Sequence, residues 1–273
     1  MKRFGDDLAR LVIGLLLAIT AAVMIVPLIY AVAMSFEPRG FLGPFPPPSL
    51  SLQWYRAFFA SEYYMRGLGI SLALATASAT ISSTMGALAA LGLSRGGFPG
   101  AGLLSALFLS PLVVPGVVTG FALLLMFSLM MPVASAAKLL IAHVLLTLPY
   151  TIRASLSAMN GINRNLMDAA LSLGATEGQA LRKVLLPLAR TGIATGFIFA
   201  FCFSMDDIAI TIFLSSPTVY TLPVALVSNM KSNFDLAIAA AAIMLLLFTI
   251  VLLVILDRVV GIDTVMGKGV YRN

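Results

Sequence analysis

The sequence predicts an all-α integral membrane protein, and three observations carry that expectation. Hydrophobic residues fill 60% of the 273 positions, and the mean hydropathy is +1.03. Charged residues make up only 10%, against about 25% in soluble domains. The apolar residues gather into six segments, about 11–34, 67–93, 102–130, 135–153, 190–214 and 236–257. Each approaches or exceeds the roughly 20 residues with which a helix spans a hydrocarbon core. We expect a single transmembrane domain over 1–273 with six transmembrane helices.

The first segment follows Lys2, Arg3 and Arg10 and ends near Ala31-Val32-Ala33, a pattern that also suits a secretory leader. An apolar run from Leu11 to Met34 exceeds the roughly 7–15 residues of a leader's core, so an uncleaved first span is expected. A proline-rich loop, GPFPPPSLSLQWYRAFF, leads to the second span. There Ser71, Ala75, Ser78, Ser82, Gly86 and Ala89 recur every three or four residues, which permits close helix packing. The turn SRGGFPG separates the second and third spans, and the connection near Met131-Pro132 separates the third and fourth. A polar stretch and the loop SSPTVYTLP flank the fifth span. Pro27, Pro111, Pro115 and Pro149 predict kinks or local breaks.

Basic residues set the orientation. With the N-terminus inside, twelve of the 17 Lys and Arg residues fall on the inner side. Arg39, Arg56, Arg66, Lys138 and Lys231 fall on the outer side. The bias predicts that both termini and the 160–190 stretch are cytoplasmic. The pI of about 9.7 therefore reflects topology, and no nucleic-acid partner is expected.

Covalent chemistry finds little support. Cys202 is the single cysteine and cannot form an intrachain disulfide or assemble a metal site. The lone His143 lies in an apolar run and reads as a packed core residue. Gly267-Lys268 lacks the upstream glycine and following Ser or Thr of a phosphate-binding loop. The chain is thus expected to bind no cofactor and no metal and to be no enzyme. Internal repeats of the kind found in many secondary transporters are not evident.

The stretch NGINRNLMDAALSLGATEGQALRKVLLPLAR, residues 160–190, carries the strongest signal. Asn163 or Asn165 is placed to cap a short helix through Met167, Ala169, Ala170 and Leu173, with Gly174 at the position that tolerates a left-handed backbone. Thr176 and Gln179 have capping-box spacing and begin a second helix carrying Leu181, Val184 and Leu185. Pro187 marks either a break before the fifth span or its first turn. A compact helix–turn–helix suited to a groove on a partner protein is expected over about 160–188.

Asp168-Ala169-Ala170, three residues, Gly174, nine residues, then Val184-Leu185-Leu186-Pro187 resembles the EAA loop of binding-protein-dependent ABC-importer permeases. Asp168 replaces Glu, and Val184 replaces Ile. Trp54-Tyr55 after the proline-rich loop, Leu109-Ser110-Pro111, Ser204-Met205-Asp206-Asp207, Ser216-Pro217 and Thr221-Leu222-Pro223 resemble the spermidine/putrescine-type subfamily over roughly 11–258. Leu112 stands where some polyamine permeases carry an acidic residue.

The resemblance implies a type I permease of the bacterial cytoplasmic (inner) membrane, operating by alternating access. It implies coupling to an ABC ATPase dimer through Asp168, Ala169, Ala170, Gly174, Glu177, Leu186 and Pro187. ATP and Mg would bind that partner. It further implies a second, different permease subunit, a periplasmic or surface solute-binding protein, and a polyamine, other amine or amino-acid-like solute.

Asp206 and Asp207 stand inside the fifth apolar run. An ionised Asp at a helix centre costs roughly 2.5–3.5 kcal/mol on insertion scales, so intramembrane carboxylates mark function. On one straight helix, Ser204, Asp207, Thr211 and Ser215 form a polar stripe at steps of three and four. That places Asp207 toward a pathway or gate and turns Asp206 toward a neighbouring helix that supplies a donor. A proton relay through both aspartates in a secondary transporter, and a membrane scaffold, are the alternative functions.

Overall fold

The computed structural model describes residues 2–41, 43–95, 99–130, 133–232 and 236–260. Among them the chain is helical between turns and connections, with no strand. Contacts divide it into two units, Met1–Glu62 with Asn229–Phe248, and Tyr63–Ser228 with Thr249–Asn273.

In the first unit, α1 (Lys2–Met34) runs without a break through Pro27, and its 25 residues from Arg10 to Met34 leave their apolar surface uncovered. That suits a lipid-facing span. The proline-rich loop after α1 is built around Glu37. The backbone N–H of Ser51 donates to Phe36 O at 2.8 Å and closes the loop. The buried Glu37 carboxylate accepts two bonds from the Arg39 guanidinium, at 2.6 Å each. From α2 (Gln53–Ala60), Trp54 Nε1 donates to Glu37 O at 2.7 Å and Gln53 to Pro38 O at 2.6 Å. Tyr55 shares a 2.7 Å hydroxyl bond with Ser35 at the end of α1. The Trp-Tyr pair thus clamps the loop to the helix that follows it.

The second unit contains α3 (Glu62–Arg95), α4 (Ala101–Leu109), α5 (Gly116–Leu129) and α6 (Ser135–Asn160). It continues through α7 (Asn165–Ser172), α8 (Glu177–Ala180), α9 (Leu186–Asp206) and α10 (Thr211–Leu214). Helices α11 (Leu222–Ser232) and α12 (Ala237–Val260) complete the chain. Ser71, Ala75, Ser78, Ser82 and Gly86 of α3 are buried, as the packing reading of that stripe requires. Leu74, Leu123, Phe127, Leu139, Ala142, Ile210 and Leu214 form an apolar core cluster, where α3, α5, α6 and the α9–α10 region meet. α6 runs unbroken through the buried Pro149.

Among the described residues, four stretches are long and apolar enough to cross a membrane alone, namely Arg10–Met34, Glu62–Arg95, Ser135–Asn160 and Glu177–Asp206. They coincide with the first, second, fourth and fifth expected spans. Ala237–Leu252, within the expected sixth, is a shorter apolar helix.

Three expectations are corrected. The third span, 102–130, is not one helix: Ala101–Leu112 and Gly116–Leu129 meet at 99°. Pro111 sits in a 3-10 turn, and Pro115 has ψ 134°, outside the helical region. Ser110, before Pro111, stays helical at φ −57° and ψ −34°, so the break falls at Pro115, where a proline disfavours helical geometry in the residue before it. The fifth span, 190–214, ends at Asp206, and Asp207 is extended with ψ 125°. Finally, Pro187 does not separate the second short helix from that span. A π-helical turn at Leu181–Leu185 bridges α8 and α9, giving a continuous Glu177–Asp206 rod of 30 residues. In that wider turn the Leu186 N–H reaches back to Leu181 O, just before the residue that has no N–H to donate.

Candidate functional site

The 160–188 segment is built by local capping chemistry. Asn163 Oδ1 accepts the N–H of Asn165 at 3.0 Å as α7 begins. At the other end Gly174 has φ +88°, a conformation that costs a side-chain-bearing residue about 1–2 kcal/mol. Its N–H donates to Leu171 O at 2.9 Å, and the N–H of Ala175 donates to Ala170 O at 3.1 Å. This pair of bonds is the Schellman motif, which satisfies carbonyls that a helix end otherwise leaves open.

The capping box forms in both directions: Gln179 N–H donates to Thr176 Oγ1 at 3.3 Å and Thr176 N–H to Gln179 Oε1 at 3.0 Å. The two short helices are therefore joined by a rigid turn that presents Leu173 at 88% exposure, with Leu171 and Leu166 also exposed. Asp168 lies in the first turn of α7 and Glu177 in the first turn of α8, where negative charge complements the helix dipole. Ala169 and Ala170 lie in α7. Leu186 and Pro187 open α9. Arg95, at the end of α3, reaches Glu177 at 3.5 Å. Both side chains are exposed, so the pair contributes little to stability. A cleft of about 660 Å³ runs beside this turn, lined among others by Arg95, Asn163, Arg164, Asp168 and Glu177.

The second cluster surrounds the end of α9, and there the polar stripe expected along a straight helix does not exist. Asp207 lies beyond the helix, and its Oδ2 accepts Ile210 N–H at 3.2 Å, Thr211 N–H at 2.9 Å and Thr211 Oγ1–H at 2.7 Å. The carboxylate thus caps the turn that opens α10. Asp206 is exposed and has no hydrogen-bond or ion-pair partner among the described residues. The expected placement of the two side chains is therefore reversed: Asp207 is partnered and Asp206 is not.

Ser204 and Thr211 do come together, through His143 on α6. The Nδ1 of His143 lies 2.7 Å from Ser204 Oγ and its Nε2 lies 2.9 Å from Thr211 Oγ1. Ser204 in turn accepts from Ser78 of α3 at 3.1 Å. The direction of the chain follows from proton counting. Thr211 donates its only hydroxyl proton to Asp207, so His143 must donate at Nε2. A neutral ring then accepts at Nδ1 from Ser204, which accepts from Ser78. His143, Ser78, Ser204 and Thr211 are all buried, so the helix break is tied to α3 and α6 by a satisfied network. His143 is indeed a packed core residue, but its role as the hub was not visible in the sequence. The signal available was a lone imidazole in an apolar run, which has to find partners for both nitrogens.

Several helices long and apolar enough to cross a membrane, with one bent pair forming a broken span, are the mark of a multi-pass membrane protein. The chain belongs to the family described as "binding-protein-dependent transport system inner membrane component", which matches residues 82–262. It is an ABC-importer permease subunit and a multi-pass protein of the inner membrane.

The spermidine/putrescine transport system permease protein PotC of Escherichia coli (strain K12) is 28% identical over 261 residues, covering 96% of this chain and 98% of that protein. The putrescine transport system permease protein PotI of the same strain is 32% identical over 203 residues, covering 72% of each. The trehalose transport system permease protein SugB of Mycobacterium tuberculosis (strain CDC 1551 / Oshkosh) is 27% identical over 264 residues, covering 90% and 93%. In fold, the chain is similar to a bacterial ABC transporter involved in the import of the acidic polysaccharide alginate, with TM-score 0.71, 19% identity and coverage of 97% and 100%. Family membership leaves the proton-relay and scaffold readings of the sequence without support.

Proposed function

We propose that this chain is one of two membrane subunits in an ATP-driven importer of a small cationic amine. A polyamine or a related amino-acid-like compound would be received from a periplasmic binding protein and passed inward by alternating access. The relatives named for spermidine and putrescine support this solute class. So does an unpartnered carboxylate, Asp206, in a span where charge is costly. In this reading both termini are cytoplasmic and the chain crosses six times, with the broken third span counted as one crossing. The second permease subunit is a different chain.

The turn at 165–180 docks on an ATPase dimer that binds ATP and Mg, with Asp168, Ala169, Ala170, Gly174 and Glu177 at the contact and Leu186 and Pro187 joining it to α9. Closure of the ATPase pair would move this turn, and the continuous Glu177–Asp206 rod would carry that motion to the carboxylates. Ser204, Asp207 and Thr211 then form the gate around His143, and Asp206 meets the solute.

The single observation that carries the reading is the preformed turn presenting Leu173 at 88% exposure, since a solvated loop has no reason to hold a leucine out rigidly. Leu173→Asp should leave the chain in the membrane but lower ATP-dependent uptake and recovery of the ATPase with the permease by roughly tenfold or more, the loss expected for a buried interface anchor. Unchanged recovery of the ATPase would refute the docking role.

A further inference from the structure

The last two turns of α9 carry a feature that the gate does not use. Phe199, Phe203 and Asp206 lie within about 60° of one another at 3.6 residues per turn. Phe199 is 43% exposed and Phe203 41%, and Asp206 is exposed beside them. One turn earlier on the same side, Thr195 and Gly196 are buried, so this opening is separated from the exposed Leu188 at the start of the helix. Tyr150 of α6 stacks on Phe203, with ring centroids 4.0 Å apart and planes 23° from parallel.

We infer that Tyr150 and Phe203, with Asp206, form a subsite for an alkylammonium group of the solute. This rests on the amine-importer reading above and adds residues that recognise the solute. The chemistry is complementary at both ends. The carboxylate offers a full negative charge, and the Phe203 ring face that Tyr150 leaves uncovered attracts a cation through its quadrupole while packing against its methylene chain. Apart from the Tyr150 hydroxyl, these residues offer no hydrogen-bond donor, and the Asp206 carboxylate repels a like charge, so acidic solutes are disfavoured there. Turning this face to lipid would leave Asp206 unpaired, which is costly in hydrocarbon. Stacking fixes the Phe203 ring, which keeps the ordering cost of binding low.

The test uses the complete transporter in cells, with radiolabelled putrescine as the probe and Phe203 varied to leucine, to tryptophan and to fluorinated phenylalanines. Phe203→Leu and Tyr150→Leu should slow uptake roughly two- to thirtyfold, the range that a cation–π contact spans. Phe203→Trp should retain the native rate. Each added fluorine keeps the ring's shape but weakens its quadrupole, and should lower the rate stepwise.

If the native transporter carries neither putrescine nor any other amine, the parent reading fails. If it carries putrescine and the fluorinated series keeps the native rate, this inference fails alone. Loss of the partner permease on purification of Phe203→Leu would also overturn it, assigning the face to a subunit contact.

Discussion

Asp206 and Asp207 are adjacent, yet the backbone between them passes from helix to extended chain and sends them to different work. Asp207 closes three hydrogen bonds on the turn that opens α10. Its removal should therefore read first as lost stability. Asp207→Ala should destabilise the purified complex by about 0.5–2 kcal/mol, as lost caps do, and lower its thermal unfolding midpoint. Asp207→Asn keeps an acceptor oxygen and should fall within a few tenths of a kcal/mol of native on the scale of cap exchanges. Equal losses for both variants would show that the charge, rather than the cap, is what the site requires. The sequence showed that two carboxylates lie in an apolar run. It did not show which one is free, because that depends on where the helix ends.

At the scale of elements, the loop between α1 and α2 is organised around one ion pair. The Arg39 guanidinium holds the Glu37 carboxyl below its ordinary value of 4.5. A carboxyl whose pKa is lowered by folding contributes stability that is present above its ordinary value and is lost as pH falls through the lowered one. Trp54 is the only tryptophan and donates to the Glu37 carbonyl, so its fluorescence reports this loop directly. The emission should hold steady down to the ordinary glutamate value and change only below it. Arg39→Gln should move the change to higher pH, and an unmoved profile would dissociate the loop from the ion pair. The Trp-Tyr pair and prolines were readable as a loop motif. The buried carboxylate was not, since an isolated Glu37-Pro38-Arg39 looks like solvated surface.

At the scale of the whole molecule, α6 and α9 pack closely within the second unit. Their approach depends on Gly192, where an added Cβ would meet Ala158 Cβ and come within 2.8 Å of Ala154 O. The latter is backbone and cannot rotate away. Gly192→Val should therefore cost about 1–3 kcal/mol by overpacking, visible as a lower thermal midpoint. Because α9 continues from the 165–180 turn, the same variant should reduce coupled uptake more than it reduces ATPase recovery. A native midpoint would mean that the helices part without penalty.

What the sequence determined alone was everything governed by neighbours within a turn or two. The apolar segments, the Gly174 turn, the Thr176–Gln179 capping box and the disruptive prolines all rest on interactions between residues at most five positions apart. What only the tertiary structure decided spans far greater separations. His143 meets Ser204 and Thr211 across 61 and 68 positions, and Tyr150 stacks on Phe203 from another helix. Helical periodicity cannot anticipate such contacts once a helix breaks, because a break resets the face on which every later residue stands. The end of α9 at Asp206 is that break, and it decides that Asp207 caps the turn into α10 while Asp206 is left without a hydrogen-bond or ion-pair partner among the described residues.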